Sequence, residues 1–355
     1  MGLQTLVRRE FTIADKVISD DTDAYVIAEI GHNHQGSLAI AEELFRAAAA
    51  SGADAAKLQK RDNRTLFTKS MYDEPYSGRN SYGSTYGTHR EALEFGQDEY
   101  RHLAKLAAEL NIDFLATAFD PPSVDFLVDL DLPGIKIASG DLTNIPLLRY
   151  AAQTGKPLIV SSGGADMDDV RRAVDAILPV NGNLALLQCT AIYPAAHSDL
   201  HLRVIETFRD EFPDVVVGLS AHDTGVEPSF VAYALGARVI EKHFTLDHTN
   251  RGSDHHFSLE PGELAELVTG LRSTNELLGS AEKRAMPPER AAVRKMGKKL
   301  VAARALPEGH RLAESDVAIK SPGDGMRPYL LPEVVGRSLR RPLAEDDDIS
   351  PDILY

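Results

Sequence analysis

The chain is poor in cysteine: Cys189 is the only one among 355 residues. A single cysteine excludes an internal disulfide bond and leaves no thiolate cluster for a structural zinc ion. Both exclusions fit a protein that works in the reducing environment of the cytoplasm, and we expect a cytoplasmic location.

Positive charge is also scarce, because 38 Lys and Arg residues stand against 53 Asp and Glu residues, giving a formal net charge of -15 at pH 7. Nucleic acid and anionic membrane would both be repelled, except at a local basic patch. We therefore expect no nucleic-acid partner and no membrane partner. An anionic substrate would need a pocket that concentrates positive charge.

Long apolar runs are missing as well. The first twenty residues lack the apolar core of a signal peptide, and no run approaches the length that spans a membrane. Low-complexity tracts are absent too, while 43% of the residues are hydrophobic, which is enough to bury a full core. The expected organisation is one large domain followed by a small one.

From about Ala24, short β-branched runs alternate eight times with amphipathic helical stretches. The predicted strands are 25–30, 55–59, 114–119, 135–138, 158–161, 184–189, 215–219 and 239–244, with helices at 37–51, 99–110, 168–178, 202–212 and 263–278. Eight such units predict a TIM (βα)₈ barrel over residues 1–280. A doubly wound sheet is the alternative, but residues 31–36 read GHNHQG, which is wrongly spaced for a dinucleotide loop.

Two further segments depart from a minimal barrel. Residues 61–95 form a long connection, rich in Tyr, Gly, Ser and Arg, where such loops usually have a handful of residues. After the barrel, the composition predicts a linker at 281–293 and a small β-rich domain at 294–355.

The active site of a TIM barrel lies at the C-terminal ends of its strands, and here those ends carry polar residues. They are Glu29, Lys57, Gln59, Thr117, Lys136, Ser139, Ser161, Ser162, Gln188, Thr190, Ser220, His222, Glu241 and His243. Barrel interiors favour Val, Ile and Leu, and a buried lysine is unfavourable unless paired. Lys57 and Lys136, with serines at three strand ends, predict a site for a multiply charged anion; ion pairs with neighbouring carboxylates are the alternative.

His222 and His243 follow Ser220 and Glu241 by two residues, so each pair projects to one face of neighbouring strands. Two imidazoles at one rim predict a metal site, and the oxygen-rich surroundings favour Mn²⁺ or Mg²⁺ over zinc. The alternative is a pair of hydrogen-bonded core histidines.

Other histidines and one carboxylate lie nearby in sequence. His32 and His34 are either competing ligands or residues that position their loop. Asp254 is either a site carboxylate or a turn residue, and the pair His255 and His256 is expected at the surface.

Seven runs, in order, match one family: AEIGHNHQG at 28–36, KLQK at 57–60, KIASGD at 136–141, QCTAIYP at 188–194, GLSAH at 218–222, EKHFT at 241–245 and GSD at 252–254. In them the chain resembles the sialic acid synthases, which condense phosphoenolpyruvate with an N-acylated hexosamine. The likeness runs from about Ala24 to the C-terminus.

The resemblance implies a role for each matching position. Phosphoenolpyruvate would be held by Lys57, Lys136, Ser139, Ser161 and Ser220, and the divalent metal, Mn²⁺ or Mg²⁺, by His222 and His243. The sugar or the reacting centre would be contacted by Glu29, Gln59, Tyr193 and Asp254. The catalytic residues would be Glu29, Lys57, Lys136 and Asp254. Ser162 and Thr190 would be among the substrate-binding residues. Residues 294–355 look like an antifreeze-like (SAF) domain, which in this family caps the partner's active site, so a domain-swapped homodimer is expected.

Two positions that concern the acceptor sugar depart from the resemblance: Ala191 and Ser321 stand where many bacterial members have Asn and Arg. Residues 85–90 and 258–264 look closer to the animal-type enzyme, which takes a 6-phosphorylated sugar. The long loop is cationic, with Lys60, Arg61, Arg64, Lys69, Arg79 and Arg90, and we expect Arg79 and Arg90 to bind the phosphate of N-acetylmannosamine 6-phosphate. The alternatives are a solvated loop, an unphosphorylated or different nonulosonic acid precursor, a metal-dependent aldolase, and a carbohydrate-binding protein.

Overall fold

A computed structural model describes residues 9–355, which form two compact units that divide after Gly279. The first eight residues of the predicted barrel domain lie outside the described range. None of the helices within it combines the length and apolar character that crossing a membrane requires.

The first unit is a closed barrel of eight parallel strands in the order β10-β3-β4-β5-β6-β7-β8-β9. The strands are β3 Tyr25–Gly31, β4 Ala55–Lys60, β5 Asp113–Ala118, β6 Ile135–Ile137, β7 Leu158–Ser161, β8 Leu184–Cys189, β9 Val216–Ala221 and β10 Val239–His243. Each agrees with its predicted strand to within one or two residues at either end. The TIM-barrel prediction is therefore confirmed, and the doubly wound sheet is excluded.

Helices follow the strands, and all except three short ones in the 61–95 connection pack on the outward faces of the strands. They are α1 Leu38–Ala50, α2 Asn63–Leu66, α3 Lys69–Tyr72, α4 Tyr86–Glu91, α5 Gln97–Leu110, α6 Pro121–Asp129, α7 Ile145–Gln153, α8 Met167–Ile177, α9 Val204–Glu211, α10 Glu227–Ala234 and α11 Pro261–Leu278. Several begin at side-chain caps: the carboxylates of Asp120 and Asp166 accept backbone N–H groups at the starts of α6 and α8. Three short helices, α2 to α4, lie within the long 61–95 connection.

The barrel interior changes from apolar to polar along the strands, because alternate residues point inward. Its lower half is a buried apolar cluster that includes Ile27, Leu115 and Ile159. The antiparallel hairpin of β1 (Glu10–Ile13) and β2 (Lys16–Ser19) packs against this cluster through buried Phe11, Ile13 and Ile18. The polar inward positions therefore lie at the opposite, C-terminal ends of the strands.

Gly218 marks the transition on β9. A Cβ atom at this position would lie 2.3 Å from the carbonyl oxygen of Val239 and 2.4 Å from Leu187. Only glycine allows β9 to approach its neighbours this closely, and Ser220 is the next residue in line toward the rim.

The second unit runs from Ser280 to Tyr355. It contains α12 Arg290–Met296, the antiparallel pair β11 Lys299–Ala302 and β12 Val317–Lys320, and α13 Leu331–Val334. Its own core is built from Leu300, Leu306, Leu312, Leu339, Leu343, Ile349 and Ile353, among others. The predicted linker 281–293 thus contains the start of a helix, because the basic stretch is rich in the helix formers Ala, Arg and Lys.

Candidate active site

A cavity of about 630 Å³ opens at the C-terminal ends of the barrel strands. This volume suits a small-molecule substrate site. Most residues predicted for the site line it: Glu29, Lys57, Gln59, Arg90, Lys136, Ser139, Ser161, Tyr193, Ser220, His222, His243 and Asp254.

Lys57 is at the centre of a buried charged cluster. Its Nζ lies 2.5 Å from Glu29 Oε2 and 3.6 Å from Glu241 Oε2, and it donates to Thr117 Oγ1 at 2.8 Å. Burial alone would lower the pKa of Lys57, but Glu241 and Glu29 together raise it. Lys57 is therefore a buried ammonium in this site, and the predicted alternative, an ion pair with a carboxylate, is also present in the structure.

Glu241 and Glu29 differ in their surroundings. Burial opposes ionisation of Glu241, but Lys57, Lys136 and His243 outweigh it and lower its pKa to about 2. Burial raises the pKa of Glu29 despite the neighbouring Lys57. Of the two carboxylates, Glu29 is thus the better suited to exchange a proton near neutral pH.

Lys136 provides the second buried ammonium. Its Nζ donates to Ser161 Oγ at 2.6 Å and to the carbonyl oxygen of Ile137 at 2.7 Å. Both acceptors are neutral oxygens, and burial lowers the pKa of Lys136. An anionic ligand beside Lys136 would oppose that effect.

Hydroxyl groups complete this wall of the cavity. Ser220 donates to Glu241 Oε1 at 3.1 Å, and Ser139 Oγ accepts the backbone N–H of Gly163 at 2.9 Å. Together with Ser161 they place hydroxyls around the two lysines, a donor set suited to phosphate or carboxylate oxygens.

His222 and His243 lie side by side at the rim, with ring centroids 5.3 Å apart. His222 Nδ1 lies 2.8 Å from the carbonyl oxygen of Thr190, so the hydrogen belongs on Nδ1 and the Nε2 lone pair is free. His243 Nδ1 is buried without a hydrogen-bond partner. Burial lowers the pKa of both, that of His222 to about 4, so both imidazoles are neutral near pH 7.

Neutral, buried imidazoles with one fixed tautomer are suitable metal ligands. Within residues 9–355, however, no group of three or more His, Cys, Asp and Glu side chains converges well enough to hold a metal by itself. Asp254 Oδ2 lies 3.8 Å from His243 Nδ1, beyond hydrogen-bond distance. The side chains fit a metal that takes its remaining ligands from substrate and water.

Tyr193 covers the two histidines. Its ring centroid lies 4.1 Å from that of His222, and its side chain is exposed at the mouth of the cavity. An exposed aromatic ring beside the site is well placed to contact a sugar.

The long loop contributes Arg61 and Arg90 to the lining of the cavity. Arg61 stacks on Phe119, 3.8 Å from the ring centroid to Cζ, and its Nη2 donates to Gln59 Oε1 at 2.6 Å. Arg90 donates to Tyr86 Oη through Nε and Nη2. The two guanidinium groups both line the cavity.

Four predicted residues do not line the cavity. Gln188 Nε2 donates to the carbonyl oxygen of Leu200 at 3.2 Å. Ser162 Oγ donates to the carbonyl oxygen of Leu187, and Thr190 Oγ1 donates to that of Asp199, so both hydroxyls serve the main chain. Arg79 has an exposed side chain, and its carbonyl oxygen accepts from Arg251 Nε at 2.7 Å. This bond fixes the loop with the Arg79 side chain in solvent.

The surface expectation for the two adjacent histidines is wrong for His255. His255 is buried, with Nδ1 2.7 Å from Thr245 Oγ1, whereas His256 is exposed. His34 does not reach the cavity either, because it stacks on Phe95 and its Nδ1 accepts the N–H of Gly36.

Several lining residues were not singled out from the sequence, among them Asn80 and Tyr82. Tyr82 Oη donates to the carbonyl oxygen of Arg251 at 2.7 Å, which ties the long loop to the loop after β10. Their only sequence signal was their position in an unusually long connection.

The profile of the NeuB family matches residues 44–283, and that of the SAF domain matches residues 299–354. The chain belongs to the NeuB family. It is 42% identical to an N-acetylneuraminate-9-phosphate synthase of Homo sapiens over 331 residues, which cover 93% of this chain and 92% of the human protein. The resemblance stated from the motifs is thereby confirmed.

Two further relatives extend the comparison. An N,N'-diacetyllegionaminic acid synthase of Legionella pneumophila is 39% identical, covering 89% of this chain and 90% of that protein. A crystal structure of an N-acetylneuraminic acid synthetase from Leptospira borgpetersenii superposes with a TM-score of 0.72 at 31% identity, covering 82% of this chain and 97% of that one.

Proposed function

We propose that this NeuB-family enzyme condenses phosphoenolpyruvate with an N-acylhexosamine 6-phosphate, giving a sialic acid 9-phosphate and inorganic phosphate. The observation that carries the proposal is the pair of buried ammoniums, Lys57 and Lys136, surrounded by serine hydroxyls and adjacent to two neutral imidazoles. The human relative is named an N-acetylneuraminate-9-phosphate synthase and the Legionella relative an N,N'-diacetyllegionaminic acid synthase, and both names support the proposal.

Phosphoenolpyruvate would occupy the deep part of the cavity. Its phosphate and carboxylate groups carry charge that Lys57 and Lys136 can neutralise, and Ser139, Ser161 and Ser220 can donate to the oxygens. On binding, Lys57 would exchange part of its contact with Glu29 and Glu241 for the substrate.

A divalent cation held by His222 and His243 would polarise the carbonyl oxygen of the open-chain sugar. Mn²⁺ or Mg²⁺ suits a site in which the other ligands are oxygens. The hydrogen bond from His222 to Thr190 keeps that ring in the tautomer needed for ligation.

In the reaction, C3 of phosphoenolpyruvate forms a bond to the sugar aldehyde carbon, water adds at C2, and the resulting tetrahedral centre expels phosphate. Lys57 and Lys136 would stabilise the charge on the departing phosphate, and they therefore supply much of the rate. We assign proton transfer at the reacting centre to Glu29, whose pKa is raised by burial. Asp254 and Gln59 would orient the acceptor.

The acceptor phosphate would bind at the side of the cavity formed by Arg61 and Arg90. Two guanidinium groups offer several charge-assisted donors to one phosphate, which free hexosamine cannot use. We expect the 6-phosphate to be preferred over the free sugar by at least about tenfold in kcat/KM, or roughly 1.4 kcal/mol.

We propose that the second unit, which resembles a SAF domain, caps the active site of the partner in a domain-swapped homodimer. The match of residues 299–354 to the SAF profile supports this role. The buried, unpaired Cys189 suits the cytoplasm, which is the location we propose.

The direct test is release of inorganic phosphate from phosphoenolpyruvate with a panel of hexosamines, each free and 6-phosphorylated, including a diacetylated one. Dependence of phosphate release on both substrates supports the synthase. Phosphate release without a sugar, or none with any sugar, would contradict it. Equal kcat/KM for the free and the phosphorylated sugar would support the synthase but contradict the proposal that the acceptor is phosphorylated.

A further inference from the structure

His32 lies between the guanidinium groups of Arg61 and Arg90. Its Nε2 is 3.2 Å from Arg61 Nη1, and its Nδ1 is 3.2 Å from Arg90 Nη1. The imidazole side chain is only 11% exposed, and all three residues line the cavity.

This arrangement cannot satisfy every donor. A neutral imidazole has one acceptor nitrogen and one N–H group, whereas a guanidinium has only donors. One of the two arginine contacts of His32 therefore sets a donor against a donor. An imidazolium would be worse placed, because it would set N–H groups against both arginines.

A phosphate monoester would resolve the conflict. With two negative charges and three acceptor oxygens, it can accept from both guanidiniums and from His32. Glu94 offers a second acceptor, because its Oε1 lies 3.7 Å from His32 Nε2 and is buried without a hydrogen-bond partner. With both arginines turned to the phosphate, His32 could donate from each ring nitrogen.

We propose that His32 takes up a proton when a dianionic phosphate monoester binds between Arg61 and Arg90. The inference rests on the proposed function, since the ligand is the 6-phosphate of the acceptor sugar. His32 thus acts as a proton-linked specificity residue for the phosphorylated acceptor.

The surroundings of His32 favour its neutral form in the free protein. Burial, Arg61, Arg90 and His89 lower its pKa well below the ordinary value, and Asp254 raises it. The neighbouring His34 is itself buried, with a pKa lowered to about 3, and adds no charge near pH 7. A bound dianion would offset the two guanidiniums, so the pKa of His32 would rise on binding.

The linkage has a definite sign. Because the complex holds more protons than the free protein, the contribution of His32 to affinity is fully present below its pKa in the free protein and is lost as pH rises through its pKa in the complex. The phosphate remains dianionic above its second pKa of about 6, so its own titration contributes little between pH 7 and 8.5.

Isothermal titration of the full-length protein with hexosamine 6-phosphate, without phosphoenolpyruvate, tests this. Runs at pH 7.5 in buffers of different ionisation enthalpy should show uptake of about half to one proton, and Kd should rise about fourfold or more from pH 7 to 8.5. Free hexosamine should show neither effect.

His32→Gln, which places an amide here that can hydrogen-bond but cannot be protonated, should remove both effects. His89→Gln is the matched control, because His89 lines the same cavity and its Nδ1 only accepts the N–H of Tyr82. The thermal midpoint of each variant shows that it is folded, and the data on the unmodified protein stand without either variant.

Binding of the 6-phosphate without proton uptake would overturn the inference and leave the proposed function intact. Loss of uptake in His89→Gln but not in His32→Gln would also overturn it. If the hexosamine 6-phosphate binds no more tightly than the free sugar, the proposal that the acceptor is phosphorylated is contradicted as well.

Discussion

Lys242 and Asp223, each next in sequence to one of the two rim histidines, form a buried ion pair with Nζ 3.1 Å from Oδ2 and side chains 1% and 0% exposed. Lys242 also donates to the carbonyl oxygen of Asp223 at 2.7 Å. Because Asp223 follows His222 and Lys242 precedes His243, the pair joins the two backbone segments that present the imidazoles.

Removing one partner of this pair should be strongly destabilising, because it leaves an uncompensated buried charge. Lys242→Met is expected to lower the free energy of unfolding by about 3–5 kcal/mol, whereas Lys242→Met with Asp223→Leu should lose much less. Urea unfolding of the full chain measures both. A double variant as unstable as the single one would show that the pair is not the source of the loss.

His222→Ala or His243→Ala should abolish condensation and weaken Mn²⁺ binding by at least about tenfold, because each removes a proposed ligand while deleting little core volume. Mn²⁺ titration followed by electron paramagnetic resonance gives the affinity. His256→Ala is the control, since His256 is exposed. Full activity of the unmodified enzyme after chelation would refute the metal assignment.

Arg90→Gln should reduce the preference for the 6-phosphorylated acceptor by about tenfold or more, because it removes one guanidinium from the phosphate. The ratio of kcat/KM values for phosphorylated and free sugar measures this, and the KM for phosphoenolpyruvate should stay the same. Arg79→Gln, whose side chain is exposed on the same loop, should leave the ratio unchanged. If both substitutions lowered the ratio equally, the preference would come from the overall positive charge of the loop and not from direct contact between Arg90 and the phosphate.

Ending the chain at Gly279 should leave a folded barrel that no longer turns over the acceptor, and the full chain should sediment as a dimer. The expectation follows from the division of the structure after Gly279 and from the proposed capping role of the second unit. Circular dichroism, the phosphate-release assay and analytical ultracentrifugation provide the three measurements. Normal turnover by the truncated barrel would exclude the cap from the site.

Asp316 should make the second unit sensitive to acid. Its carboxylate is held by His310 Nε2 at 2.7 Å, by the N–H of Ala313 and by Arg304, and these contacts lower its pKa to about 2. A carboxyl whose folded pKa lies below its unfolded value of about 3.9 stabilises above that value, and the stabilisation is lost as pH falls toward 2.

Hydrogen exchange of residues 299–354 in the full chain should therefore quicken between pH 4 and 2, after correction for intrinsic rates. Asp316→Asn should raise exchange already at pH 7 and flatten the acid response. Glu333→Gln changes an exposed carboxylate in the same unit and should do neither. An unchanged acid response in Asp316→Asn would show that another group is responsible.

The barrel and its polar rim were predictable because both depend on short-range pattern. A period of two along β4 places Ala55 in the apolar lower layer and Lys57 and Gln59 at the rim, whatever the rest of the chain does. The ion pairs of Lys57 with Glu29 and Glu241 follow once the strands close into a barrel.

The roles of the arginines in the long loop could not be predicted in the same way. Arg61, Arg79 and Arg90 have the same chemistry, and only distant partners separate them: Arg251 holds the main chain at Arg79, and Phe119 stacks under Arg61. Ser162 and Thr190 lie outside the cavity lining for a related reason, since their hydroxyls donate to main-chain carbonyls that the sequence does not reveal.

The cavity is built from two kinds of scaffold. Lys57, Lys136 and Glu241 stand on barrel strands, whose positions are fixed by hydrogen bonds to both neighbours, whereas Arg90 and Asn80 stand on the long loop. Loops accept substitutions, insertions and deletions that strands do not. Evolution can therefore change the acceptor sugar through the loop while the strand residues proposed to bind phosphoenolpyruvate stay the same. A designer who wishes to change the sugar should vary the loop and leave the strands unchanged.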